Sequence, residues 1–124
     1  MKVKIDTKEK FHVISIKETD LSANMTAELD ASLLPFLQND VKNVVLILKD
    51  IETIDDAAGE YLLKIQQHFY DNHASFVICE LQEGVENALD KAGYLELMNT
   101  TPTESEAWDI VQMEEVERDI LGGE

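Results

Sequence analysis

The sequence predicts an α/β fold: a mixed β-sheet of about five strands with about four helices. Three observations lead there. Two apolar runs of strand length, Val44 to Leu48 and Phe76 to Cys79, are each followed by a segment of helical periodicity. Two short segments near the start alternate or cluster apolar residues in the manner of a hairpin. The repeating order of strand and helix after that hairpin implies crossover connections and a partly parallel sheet.

Val3 and Ile5 alternate with Lys2, Lys4 and Asp6, which fits a half-buried strand, and Phe11 to Ile16 reads as its partner across the polar turn Thr7 to Lys10. A polar loop through Glu18, Asp20, Ser22 and Asn24 follows. Met25, Leu29, Leu33 and Leu37 then recur every four residues on one side of a helix. Pro35 removes the bond to the carbonyl of Ala31 and crowds that turn, so a kink or an early end is expected there. Val44 to Leu48 is uninterrupted and aliphatic, the pattern of a central strand covered on both faces.

Ala58, Leu62, Ile65 and Phe69, with Tyr61 beside them, describe a second helix that begins near Asp56. Phe76 to Cys79 is the next strand. Val85, Ala88, Leu89 and Ala92 mark a third helix, which Gly93 terminates. Leu95 to Met98 is expected as a short last strand. Thr103 and Glu106 have capping-box spacing behind Pro102, opening a fourth helix at about 103–121 that is expected to turn Ala107, Ile110, Met113, Val116 and Ile120 inward. Its charged later turns and the closing Leu121-Gly122-Gly123-Glu124 suggest fraying or extension past the core. No repeat, linker or low-complexity stretch appears, so one domain over residues 1–124 is expected.

A chain of 124 residues can bury roughly two-thirds of its unfolded surface, enough for one core without metal or disulfide. Ten Lys and Arg against 26 Asp and Glu leave a net charge of −16, which repels nucleic acid and anionic membrane surfaces and favours basic protein partners. The N-terminus has no apolar signal region and no run reaches the roughly 18 apolar residues of a membrane span, so a cytoplasmic protein is expected. Cys79 lies in an apolar run and reads as a buried thiol.

Enzyme signatures are missing: there is no glycine-rich phosphate loop, nucleophile elbow, paired-cysteine spacing or HExxH. His12, His68 and His73 are scattered, without further ligands at metal-binding spacing. No catalytic residue, cofactor or metal is therefore expected. The informative segment is Leu48 to Gly59, which joins the central strand to the second helix. Asp55 or Asp56 can cap that helix and each gains from its dipole. Capping uses one aspartate, whereas two adjacent like charges repel, and capping does not require the small pair Ala57-Ala58 that lets another surface approach.

These residues resemble the STAS family, named for sulfate transporters and anti-sigma-factor antagonists. The resemblance runs from about Val3 to Val111. Family members carry an aliphatic strand, a stretch like LxDLxx followed by two apolar residues and DSSGLG, a helix, a second aliphatic strand, and an apolar helix ending in glycine and an aromatic residue or leucine. Here Leu48-Lys49-Asp50-Ile51-Glu52-Thr53-Ile54-Asp55 fits the first part, and the fit continues without a gap to Ala92-Gly93-Tyr94. In that register Asp55 matches the motif aspartate, Asp56 the phosphoacceptor serine, Ala57 the second serine and Ala58 the glycine. A one-residue shift sets Asp56-Ala57-Ala58-Gly59 on DSSG and makes Ala57 the acceptor position. No serine stands there in either register. Asp20 falls near the family's GELD segment, which implies a contact role for it.

The resemblance implies partner switching and not catalysis. In antagonists of the family the unphosphorylated domain binds a kinase-like anti-sigma factor, and phosphate on the motif serine breaks the complex. The implied function is a non-catalytic module that binds a protein partner, an anti-sigma-factor or serine-kinase-like regulator, through Asp20, Asp55, Asp56, Ala57 and Ala58, without serine phosphorylation there. A homodimer is left open. An alternative is a soluble subunit of a transporter or lipid-transport complex, since related domains occur in both. An aspartyl-phosphate receiver is disfavoured, because no acidic pair follows the first strand and no lysine follows the last.

Overall fold

The computed structural model describes residues 1–121. The elements are β1 (Val3–Thr7), β2 (Phe11–Ile16), β3 (Asp20–Leu21), α1 (Thr26–Leu33), β4 (Asn43–Ile47), β5 (Thr53–Ile54), α2 (Asp56–Asp71), β6 (Phe76–Cys79), α3 (Glu83–Lys91), β7 (Thr100–Thr101) and α4 (Glu104–Leu121). Five strands form one mixed sheet in the order β1-β2-β4-β6-β7. The β1–β2 pair is the expected antiparallel hairpin, and the remaining pairings are parallel. A separate two-stranded parallel ladder, β3 with β5, has no counterpart in the sequence expectation.

The central strands explain their own composition. β4 and β6 are buried along their whole length, because alternate side chains face two separate cores. Val44, Leu46, Phe76 and Ile78 join Leu29 and Leu33 of α1, Leu62, Ile65 and Phe69 of α2, and Val85 and Leu89 of α3. Val45, Ile47, Val77 and Cys79 join Phe11, Val13, Ala107 and Val111 beneath α4. Three helices thus cover one face and α4 alone covers the other. Phe69 meets Phe76 at a centroid distance of 5.1 Å with tilted rings, and burying each such side chain stabilises the fold by about 1.5–3 kcal/mol.

Pro35 acts as expected. The α-helix stops at Leu33 and a 3₁₀ turn carries the chain from Leu34 to Gln38. Gly93 ends α3 in the left-handed region, with φ of 81°, and the Tyr94 and Gly93 amides donate to the carbonyls of Leu89 and Asp90. Those two bonds are the Schellman pattern, in which glycine carries no Cβ penalty.

Two expectations need correction. Leu95 to Met98 is not a strand: Leu95–Leu97 is a 3₁₀ turn, and the last strand is Thr100–Thr101. The turn forms because the Leu97 and Met98 amides donate back to Tyr94 and Leu95, which leaves no extended backbone to pair. The inward face of α4 is also different. Ala107 is buried and Ile110 packs against the core edge, but Met113, Val116 and Ile120 are 55%, 56% and 71% exposed.

Polar side chains hold the later turns of α4 instead. Asn43, at the start of β4, accepts from the Ser75 amide at 2.7 Å and from Arg118 at 3.1 Å, and donates to the Lys10 carbonyl and to Glu115. Glu114 accepts from Ser75 and from Tyr70, whose hydroxyl in turn accepts from Asn99. The Thr103 hydroxyl accepts from the Glu106 amide at 3.3 Å, which is one half of the expected capping box, and donates to the Glu106 carboxylate at 2.8 Å, where the box would use the Thr103 backbone amide. The sequence reading of the chain beyond Leu121 falls outside the described residues.

Candidate functional site

The segment Asp50 to Asp55 lies against Thr19 to Leu21. The Glu52 and Thr53 amides donate to the Thr19 carbonyl at 2.6 and 3.3 Å, and the Asp55 amide donates to that of Leu21 at 3.1 Å. Asp20 pairs with Thr53 and Leu21 with Ile54 in the short ladder. The fold therefore brings the loop of Asp20 beside the loop of Asp55 and Asp56, and all three carboxylates are exposed.

Asp55 is the N-cap of α2. Its backbone is extended, one carboxylate oxygen accepts from the Ala58 amide at 2.8 Å, and the other accepts from the Ala23 amide at 3.0 Å. One side chain thus satisfies a free helix amide and ties the preceding loop to the helix start. Asp56, the first helical residue, has a different role. It lies near the positive end of the helix dipole, and the Tyr94 hydroxyl, at 3.2 Å from each of its carboxylate oxygens, donates to it.

Tyr94 is the member of this surface that the residue-by-residue reading missed. Its signal was the aromatic residue after the helix-ending glycine, noted as part of the family pattern and not as a site. Its approach depends on Gly59: a Cβ there would lie 2.9 Å from Tyr94 Cδ2 and 3.0 Å from Leu89 Cδ2. Partial desolvation, the bond to Asp56 and the Asp56 and Glu60 charges raise the Tyr94 hydroxyl above the ordinary phenol range. Between α2 and α3 a mainly apolar groove of about 260 Å³ is lined by Ile54, Asp56, Ala88, Leu89, Ala92 and Tyr94, among others.

Ala57 is exposed and Ala58 is buried, so the small pair divides between surface and core. The histidines do not converge. His12 is buried, stacks on Phe36 at 4.1 Å and meets Thr7 and the Val41 carbonyl. Among the described residues no group of three or more His, Cys, Asp or Glu could hold a metal ion. Among the same residues no helix is long and apolar enough to cross a membrane. Burial, with the Glu80 and Glu104 charges, pushes the Cys79 thiol up to about 12.

Comparison with known proteins agrees with this architecture. The chain is similar to a serine-to-glutamate variant of RsbS from Moorella thermoacetica, with 21% identity over 90% of this chain and 96% of that one, at a TM-score of 0.74. It is similar to an anti-sigma factor antagonist from Mycobacterium paratuberculosis, with 12% identity, coverage of 90% and 93%, and a TM-score of 0.76. The anti-sigma factor antagonist SpoIIAA in its unphosphorylated form matches with 15% identity, coverage of 90% and 96%, and a TM-score of 0.70. Among curated protein sequences none matches the chain. The family model of the STAS domain matches residues 2–107, so the chain belongs to the STAS domain family.

Proposed function

We propose that this protein is a non-catalytic regulatory module that binds a protein partner through the surface around Asp20, Asp55, Asp56, Ala57 and Ala58, without serine phosphorylation there. The observation that carries this reading is the division of labour between the two aspartates. Asp55 is consumed by the helix cap and the Ala23 amide. Asp56 has no part in the cap and presents its carboxylate on the surface, where Tyr94 is its one side-chain hydrogen-bond partner among the described residues. A permanent single negative charge occupies the place where the family's switch would carry about −1.5 to −2 charges after phosphorylation.

Similarity to anti-sigma-factor antagonists supports a regulator of the anti-sigma-factor or serine-kinase type as the partner, met in the cytoplasm. The exposed Ala57 allows close approach, and the apolar groove beside Asp56 provides the desolvated contact that a charged rim lacks. The partner contributes a basic or hydrogen-bond-donating group to Asp56. Affinity capture from a native extract with the intact chain tests this: a protein retained by the wild type and lost with Asp56→Arg is the expected result. Equal capture by both would overturn it.

A further inference from the structure

The amphipathic pattern of α4 inverts along its length. In its first turns Ala107 and Val111 point into the core. From there on Glu114, Glu115 and Arg118 face the sheet, where Asn43, Ser75 and Tyr70 receive them. Met113, Val116 and Ile120, spaced three and four residues apart, form a stripe on the opposite side of the helix, and each is more than half exposed. Single exposed apolar residues are ordinary. A stripe over two turns, on a helix whose inner face is held by polar bonds, is the seam geometry by which one helix receives another.

Charge selects the occupant. The helix carries seven carboxylates and one arginine between Glu104 and Leu121. Glu106, Asp109, Glu117 and Asp119 are exposed around the stripe, and none of them forms an ion pair within the described residues. A second copy laid on this face would set acid against acid, and the net charge of −16 adds to that repulsion. The stripe lies beyond residue 107, where the match to the family model ends, and on the sheet face opposite the helix that carries Asp56.

We propose that the outer face of α4 docks an amphipathic helix of a partner protein, with apolar residues against Met113, Val116 and Ile120 and lysines or arginines against the flanking carboxylates. Three side chains make a small contact, so the complex is transient and weakens with added salt. This surface is independent of the one around Asp56, so one chain can hold two partners on opposite faces.

The test uses the full ¹⁵N-labelled chain and a synthetic helical peptide with leucine at its a and d positions and lysine at e and g. Amide shifts confined to residues 109–121, saturable binding, and a loss of about tenfold or more in affinity for Val116→Ser with Ile120→Ser at an unchanged melting temperature are expected. A control peptide that keeps its lysines but carries serine at a and d should bind far more weakly. No saturable binding, equal binding of the control, or shifts centred elsewhere would overturn the proposal. So would a free chain that sediments as a dimer and dissociates with Val116→Ser, since the occupant would then be a second copy.

Discussion

The Tyr94 hydroxyl stands 3.2 Å from both carboxylate oxygens of Asp56, a contact between residues 38 positions apart that closes α3 onto the start of α2. Gly59 permits it, since a Cβ there would come within 2.9 Å of the Tyr94 ring and 3.0 Å of Leu89. Gly59→Ala therefore displaces the ring and breaks the bond to Asp56. Stability changes by less than about 1 kcal/mol, because alanine's helix preference of about 1 kcal/mol offsets the local crowding. Loss of nuclear Overhauser contacts between Tyr94 and α2, with a small shift in the unfolding midpoint, is the expected outcome.

The adjacent aspartates separate by mutation. Asp55→Ala removes acceptors from the Ala58 and Ala23 amides and costs about 1–2 kcal/mol. Asp56→Ala, outside the cap, costs less than about 0.5 kcal/mol. Equilibrium denaturation of the two variants checks this contrast, and equal costs would contradict the assignment of the cap.

Asn43→Ala tests the polar anchor of α4. The substitution leaves the Ser75 amide and the Lys10 carbonyl without their side-chain partner and takes one partner each from Glu115 and Arg118, which keep only their own ion pair and the Arg118 bond to Ser75. A loss of about 3 kcal/mol is expected, since each buried group left unsatisfied costs about 1–3 kcal/mol. Amide hydrogen exchange should accelerate first in residues 112–121.

Alkaline pH destabilises the fold. Burial raises Cys79 from 9.0 to about 12, and burial with bonds to Asp30 and to Glu114 raises Tyr61 and Tyr70 above their ordinary 10.0. The unfolded chain therefore releases these protons at lower pH than the native chain does. The stability they contribute is complete well below pH 9, declines once the unfolded-state groups begin to titrate at 9.0 and 10.0, and is lost by the raised values. The urea midpoint should fall steadily from pH 9 to pH 11; a flat profile would contradict the burial of these groups.

The sheet was legible where sequence and environment share one period. Val44 to Leu48 and Phe76 to Cys79 are apolar at every position because two cores flank them, and Ala58, Leu62, Ile65 and Phe69 keep a helical stripe against one core. Two-residue strands such as Thr100–Thr101 and Asp20–Leu21 are too short to show a period. The outer stripe of α4 was misread as inward because hydrophobicity is the only signal a helical pattern offers. Asn43 and Ser75, which draw Glu114, Glu115 and Arg118 to the sheet, lie some 40 to 75 positions away in the chain. At the candidate site a cap by Asp55 or Asp56 was readable from the sequence, but the choice of Asp55 and the Tyr94 contact arise only from the folded geometry, the latter when α3 packs on Gly59.

The central claim is that Asp56 presents a permanent charge to a protein partner. Its most direct test is calorimetric affinity for the captured partner, compared between the wild type, Asp56→Asn and Asp56→Arg. A stepwise loss, reaching about tenfold or more for Asp56→Arg at an unchanged melting temperature, is predicted. Affinity that is unchanged across the three, or that appears only after a kinase has phosphorylated the chain, would contradict it.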